Sequence, residues 1–241
     1  MIDTHAHLDA CRQPAGELVE QAAVAGVRRI VTIGREQAVE LARRYEGVFA
    51  VVGWHPHEAA EAADPDGLRP LLADPRVVGL GECGLDYYCD HAPREVQRDA
   101  FRGQIELANE LDMPLIIHTR EADADTFRLL ERARCSVVLH CFSSPAMLGE
   151  AVARGYRCSF AGNVTYPSAA ELRDAAARVP DELILAETDS PYLAPVPHRG
   201  RPNVPANVMD TLAFLAEVRG VSVAALEARI EANAAAVFGL P

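Results

Sequence analysis

Lysine is missing from this chain, and all 23 basic residues are arginines. Enzymes that form a Schiff base with a carbonyl substrate need a lysine amine, so the sequence excludes that class. It also excludes a pair of metal ions bridged by a carbamylated lysine. If this chain holds two ions side by side, another kind of side chain has to bridge them.

Long apolar runs and closely paired cysteines are missing as well. No run of about 18 apolar residues could form a transmembrane helix, and the first residues lack the basic and apolar regions of a signal peptide. We therefore expect a cytoplasmic protein that does not associate with membranes. No cysteines form a Cys-x-x-Cys pair, which favours reduced, mostly buried thiols over a cysteine zinc site. They are Cys11, Cys83, Cys89, Cys135, Cys141 and Cys158.

Positive charge is also scarce, because the net charge is -12 and no run of arginines is longer than two. Proteins that bind long nucleic acids need basic stripes that neutralise many phosphates. We therefore expect the partner to be a nucleic-acid end or a small phosphodiester substrate. Nothing in the sequence indicates an obligate protein partner.

The order of predicted elements favours one domain over residues 1–241, because no repeat or change in composition divides the chain. Strict alternation of eight strands with helices predicts a parallel sheet, and eight strands can close a (β/α)8 TIM barrel. An open doubly wound sheet is the alternative, but it usually has a glycine-rich loop after its first strand. The predicted strands are Met1–Thr4, Val27–Ile33, Val48–Gly53, Val77–Gly81, Pro114–His118, Ser136–His140, Tyr156–Ala161 and Leu183–Glu187.

Histidines and carboxylates fall at the carboxyl ends of these strands, which is the face that carries the active sites of barrels. Each has an ordinary explanation on its own: a loop acid, a core histidine or a helix cap. All six at one end of one barrel instead predict a metal site. They are His5 and His7 after strand 1, Glu82 in a glycine-rich turn after strand 4, His118 and His140 ending strands 5 and 6, and Asp189 after strand 8.

The same residues lie in motifs that span nearly the whole chain and resemble the TatD-like deoxyribonucleases, a branch of the metal-dependent hydrolases. The loop Arg201–Pro205 departs from the resemblance, because it lacks a glutamate that the family often carries, and Ser144 stands where glycine is usual. The matching motifs are Asp3–Asp9, Gly53–His57, Gly81–Tyr88, Pro114–Ala122, His140–Ser143 and Glu187–Pro195.

The resemblance implies two divalent metal ions (zinc, manganese, magnesium or similar) and hydrolysis of phosphodiester bonds, often from an end of single-stranded DNA. It places one ion on His5, His7 and Asp189 and the other on His118 and His140, with Glu82 as the bridge. Glu82 and Asp189 are then the catalytic carboxylates, since Asp189 can also take a proton from the attacking water.

Three further residues are candidates for binding the substrate. His55 and His57 follow strand 3 two residues apart, and we expect them to contact a phosphate or to support the metal ligands. Arg120 is a candidate phosphate clamp, because its guanidinium matches two oxygens. Three tyrosines could stack a base or pack in the wall of the site: Tyr87, Tyr88 and Tyr192.

Other functions remain open from the sequence. The same two-metal site could hydrolyse a carboxylic ester or amide, such as the aminoacyl ester of an aminoacyl-tRNA. A catalytically silent barrel used for binding would be expected to have a broken ligand set, and all six ligands are present. A metal-storage protein would be expected to carry flexible histidine-rich tracts instead.

Overall fold

Eight strands alternate with helices along the chain in a computed structural model, which describes residues 1–61 and 64–240. The strands are β1 (Ile2–Ala6), β2 (Arg29–Gly34), β3 (Val48–Val52), β4 (Val77–Asp86), β5 (Leu115–Arg120), β6 (Val137–Leu139), β7 (Arg157–Phe160) and β8 (Ile184–Ala186). The α-helices are α1 (Ala15–Val24), α2 (Glu36–Arg44), α3 (Arg69–Leu72), α4 (Arg94–Leu111), α5 (Asp123–Leu129), α6 (Leu148–Ala153), α7 (Ala170–Arg178), α8 (Val208–Arg219) and α9 (Val223–Phe238).

All neighbouring strands pair in parallel and follow one another in sequence order from β1 to β8. The residues after β8 then close the sheet onto β1, because Ala6 forms a bridge with Ser190. Two backbone hydrogen bonds join the same segments: His7 donates to Ser190 over 2.7 Å and Asp189 donates to His5 over 2.9 Å. The predicted TIM barrel is confirmed. The predicted domain bounds, 1–241, also include residues 62, 63 and 241, which lie outside the described residues.

The core explains why some of the strands are apolar along their whole length. A parallel barrel strand is covered by helices outside and by other strands' side chains inside. Accordingly, β3 and β6 consist entirely of buried valine, alanine, phenylalanine and leucine. Among the described residues, no helix is both long enough and apolar enough to cross a membrane.

One strand differs from the prediction in a way that matters for the site. The sequence indicated a turn after Gly81, but β4 continues to Asp86, so the assignment of Glu82 to a turn was wrong. The glycines allow a bulged strand: Gly81 and Gly84 have φ of 149° and 141°, and the pairing with β5 shifts register between Gly81 and Cys83. A Cβ on Gly84 would overlap the His118 carbonyl oxygen. Glu82 is therefore held on a rigid strand.

Smaller differences in strand bounds also move two histidines. His5 lies inside β1 and His118 lies inside β5, rather than after or at the end of these strands. Both side chains remain at the carboxyl half of their strand, so the predicted convergence at one end of the barrel does not change.

Candidate functional site

Glu82 occupies the centre of a cluster at the carboxyl end of the barrel. Its Oε2 lies 3.4 Å from His5 Nε2 and 3.6 Å from His7 Nε2. Its Oε1 lies 2.7 Å from His118 Nδ1 and 2.8 Å from His140 Nε2. The two oxygens of one carboxylate therefore face two different pairs of imidazoles.

Asp189 completes the cluster on the side of His5 and His7. Its Oδ1 lies 3.5 Å from His7 Nε2 and 3.9 Å from His5 Nε2. The two Nε2 atoms are themselves 3.3 Å apart, which is close enough for both to serve as ligands of one ion. The structure thus brings together all six residues that the sequence singled out.

Three overlapping groups of side chains, two drawn from these six residues and one that also includes His55, place their ligand atoms within 4.8 Å of one another, as the donors of a metal ion would. The donors are imidazole nitrogens and carboxylate oxygens, a set that suits zinc, manganese and similar transition metals. The residues present therefore fit the metal site that the resemblance implies. The groups are His5–His7–Glu82, His5–His140–Asp189 and His55–Glu82–His118.

Electrostatics keep the two central carboxylates ionised although both are buried. Burial raises the pKa of Glu82, but attraction to His140 and hydrogen bonds with His118, His140 and His5 outweigh it and hold the pKa well below its usual range. Burial also raises the pKa of Asp189, and the hydrogen bond with His7 and nearby imidazoles outweigh it in the same way. Both groups are therefore available as anionic ligands.

Two buried carboxylates that the sequence analysis did not single out bind the far nitrogens of the central histidines. Asp86 Oδ2 accepts from His118 Nε2 over 3.2 Å, and Glu187 Oε1 accepts from His140 Nδ1 over 3.0 Å. Each of these histidines thus presents one nitrogen to Glu82 and the other to a second carboxylate. Metal-binding histidines commonly have this arrangement, because the outer carboxylate fixes the tautomer and the ring orientation.

A signal for both residues exists in the sequence, although a weak one. Asp86 is four residues after Glu82, and an even spacing places two side chains on the same face of a strand. Glu187 is two residues before Asp189, so it has the same relation to a ligand. Neither position identifies its histidine partner, because the pairs lie 32 and 47 residues apart in the chain.

A third buried carboxylate, Asp3, joins β1 to the segment that follows β8. Asp3 accepts hydrogen bonds from the Thr188 N–H over 2.8 Å and from the Thr188 hydroxyl over 2.6 Å. Burial raises the pKa of Asp3 to about 8, against the effect of these hydrogen bonds. Because Asp3 precedes His5 and Thr188 precedes Asp189, this contact holds ligands from opposite ends of the chain in register.

His55 and His57 occupy different layers of the site. His55 Nε2 lies 3.6 Å from Glu82 Oε1, while its Nδ1 accepts the His57 backbone N–H. The Nε2 atom therefore carries the hydrogen, and burial lowers the pKa of His55 to about 3, so the ring is a neutral donor. His57 Nε2 donates to Asp86 Oδ2 over 3.0 Å. His57 is therefore linked to Glu82 through Asp86 and His118.

The predicted arginine and tyrosines lie around the mouth of the barrel. Arg120 is exposed at the end of β5, with its guanidinium 3.7 Å from the centre of the Tyr88 ring. Tyr88 and Tyr192 are 60% and 56% exposed, so both could stack a base. Tyr87 instead donates its hydroxyl to Asp125 over 2.7 Å and belongs to the wall.

An arginine that the sequence analysis missed lines the cleft beside the cluster. The cleft is lined by His7, His55 and Glu82 together with Arg35. Arg35 stacks on Trp54 at 4.1 Å and donates to Glu58 over 2.7 Å, so its guanidinium is held in place. Its position after β2 resembles that of many surface arginines, which is why the sequence does not distinguish it.

Comparison with known protein families gives a match to the family described as TatD related DNase over residues 2–239. The chain is 37% identical to the "Uncharacterized metal-dependent hydrolase YcfH" of Escherichia coli K12, covering 99% of this chain and 95% of that protein. It is 41% identical to the "Uncharacterized metal-dependent hydrolase TatD" of Mycobacterium tuberculosis, covering 90% of each.

Another relative carries a more specific name, and a solved structure shares the fold. The chain is 35% identical to the "3'-5' ssDNA/RNA exonuclease TatD" of Shigella flexneri, covering 93% of this chain and 92% of that protein. The crystal structure of the TatD homologue YjjV from Escherichia coli K12 superposes with a TM-score of 0.91 at 29% identity, covering 100% of this chain and 98% of the other.

Proposed function

Because this chain belongs to the TatD-related DNase family of metal-dependent hydrolases, we propose that it is an exonuclease that removes nucleotides from single-stranded nucleic-acid ends. The observation that carries the proposal is the position of Glu82, whose two oxygens face separate pairs of imidazoles. A carboxylate in that position suits a bridge between two divalent ions. Paired ions are the usual device for cleaving phosphodiester bonds.

Each proposed ion has its own set of ligands. His5, His7 and Asp189 would hold one ion, His118 and His140 would hold the other, and Glu82 would contribute one oxygen to each. Two bound divalent ions lower the pKa of water and neutralise the charge of a phosphate. The buried carboxylates Asp86 and Glu187 keep His118 and His140 in the tautomers that leave a free nitrogen on the Glu82 side.

Asp189 is the proposed acceptor of the proton that the attacking water loses. Its carboxylate is ionised, because the hydrogen bond with His7 and the nearby imidazoles overcome the effect of burial on its pKa. His55 has the complementary role of a neutral donor, since its Nε2 carries a hydrogen and points into the cluster. That hydrogen suits a phosphate oxygen.

The proposed substrate is a single strand held near its end. Arg35 lines the cleft beside the site and Arg120 lies at the mouth of the barrel, while the whole chain is acidic. Such a surface can hold a few phosphates but does not suit a long duplex. The exposed rings of Tyr88 and Tyr192 could stack one or two unpaired bases. The name of the Shigella flexneri relative supports the same substrate class.

Degradation of single-stranded DNA and RNA oligonucleotides labelled at either end tests the proposal. We expect stepwise shortening that stops after prolonged treatment with a chelator and returns on addition of manganese or zinc. Parallel reactions with double-stranded DNA and with an aminoacyl-tRNA provide the comparison. Rapid hydrolysis of the aminoacyl ester together with intact oligonucleotides would contradict the proposal and favour an ester hydrolase.

A further inference from the structure

Another group of side chains with metal-ligand atoms lies at the mouth of the barrel, beside the central cluster around Glu82. It consists of His57, Cys89 and His91, whose ligand atoms all lie within 4.8 Å of one another. His57 belongs to the short 3₁₀ turn Pro56–Glu58 after β3, whereas Cys89 and His91 lie in the loop after β4. The rings of His57 and His91 are 4.4 Å apart between their centres.

The proposed two-metal centre uses none of these three side chains as ligands. Cys89 is half-buried and His91 is exposed, so an ion could reach them from solvent. Arg120 Nη1 donates to Cys89 Sγ over 3.9 Å, which places the sulfur beside the residue that ends β5. The cluster thus combines accessibility with a defined position.

His57 already has the outer partner that metal-binding histidines usually have. Its Nε2 donates to Asp86 Oδ2 over 3.0 Å, so the opposite nitrogen, Nδ1, is the one left for an ion. A buried carboxylate on the far nitrogen orients the ring and increases its basicity toward a metal. The same carboxylate oxygen accepts from His118 Nε2 over 3.2 Å.

We infer that His57, Cys89 and His91 form a third metal site, for zinc or a similar borderline cation. One thiolate and two imidazoles are donors that zinc prefers, and three protein ligands leave a fourth position for water or another oxygen ligand. This donor set differs from the carboxylate-bridged cluster around Glu82. The metal site itself does not depend on the proposed exonuclease activity.

The position of the third metal site suggests a role for an ion bound there, and this role rests on the proposed exonuclease function. Asp86 links His57 to His118, so the third site lies one carboxylate away from the central cluster. An ion there adds positive charge to the mouth of a barrel in a chain of net charge -12. The open fourth position suits a phosphate oxygen of a strand that enters the site.

Cobalt(II) is the probe for this site, because a cobalt–thiolate bond gives a near-ultraviolet charge-transfer band that imidazole and carboxylate ligands do not give. Full-length protein is freed of metal and titrated with cobalt while the band is recorded. The number of zinc ions bound per chain is measured separately by equilibrium binding. The variants are Cys89→Ser and His91→Ala, with Cys135→Ser as the matched control. Cys135 is a half-buried thiol outside the cluster.

We expect the band in the unsubstituted protein and in Cys135→Ser, and its loss in Cys89→Ser. Cys89→Ser should also bind one equivalent of zinc fewer, while His91→Ala should weaken both signals. Circular dichroism establishes that each variant is folded. A band and a zinc stoichiometry that persist unchanged in Cys89→Ser would overturn the inference. Activity is not the readout, so this result stands apart from any failure of the exonuclease proposal.

Discussion

At the scale of single residues, the buried carboxylates of the site fall into two kinds. Glu82 and Asp189 face the imidazole edges that point into the cluster. Asp86 and Glu187 bind the opposite edges of His118 and His140. Removing the charge of an inner carboxylate should therefore affect metal binding or proton transfer directly, whereas removing an outer one should act through the histidine that it orients.

Asp189→Asn separates proton transfer from metal binding. The amide keeps the size of the side chain but cannot accept the proton of the attacking water, and loss of a catalytic base commonly costs about 10²–10⁴-fold. We expect turnover to fall within that range while at least one metal ion stays bound. The measurement is turnover beside metal content, and near-normal turnover would remove Asp189 from its proposed role.

Glu187→Gln tests the outer carboxylates. The new amide oxygen could still accept the Cys141 N–H, as the carboxylate does now, but the negative charge beside His140 Nδ1 would be lost. Loss of such an outer partner typically lowers metal affinity or activity about 10–100-fold. Equilibrium metal titration measures this. Glu182→Gln, at an exposed residue before β8, is the matched control and should have no effect. Equal affinities of the two variants would contradict the orienting role.

At the scale of elements, the sequence allowed the order and type of the strands and helices to be predicted, but not the extent of β4. The glycines of this strand indicated a turn, and only the approach of β5 shows that they permit a bulge. The six ligands could be predicted because each lies in the carboxyl half of a strand or shortly after a strand. Asp86, Glu187 and Arg35 could not, because their roles depend on partners that are distant in sequence.

Gly84→Ala tests the close contact between β4 and β5. The new methyl group would meet the His118 carbonyl oxygen, and φ is 141° at this position. Such a backbone conformation alone costs about 1–3 kcal/mol for a residue with a side chain. We expect the free energy of unfolding to fall by at least that amount, as measured by denaturant titration.

Gly149→Ala is the control for this substitution. Gly149 lies in α6, with no atom within 4 Å of an added Cβ. Alanine is favoured over glycine in a helix by about 0.5–1 kcal/mol, so this variant should be equally stable or more stable. Equal stability of the Gly84 and Gly149 variants would show that β4 and β5 can move apart at Gly84 without lowering the free energy of unfolding.

At the scale of the whole molecule, the charge of -12 limits how nucleic acid can bind. Each phosphate neutralised on a single strand contributes about −0.7 to the slope of log affinity against log salt. A strand held at its end by a few groups should therefore give a slope of roughly −1 to −3. Binding of a short oligonucleotide to the Asp189→Asn variant at several salt concentrations measures it. A slope steeper than about −5 would indicate contact with a long tract.

Glu82 lies between two pairs of imidazoles, and Glu82→Gln tests most directly whether its carboxylate bridges two metal ions. The comparison is made in a Cys89→Ser background, so that the central cluster is measured alone, by manganese titration beside turnover. Two ions should bind when Glu82 is present. The substitution should lower the affinity for both ions by more than the loss of about 10–100-fold that is typical when an outer carboxylate is removed. Turnover should also fall further than in His55→Ala. Retention of both ions with near-normal turnover would contradict the bridge.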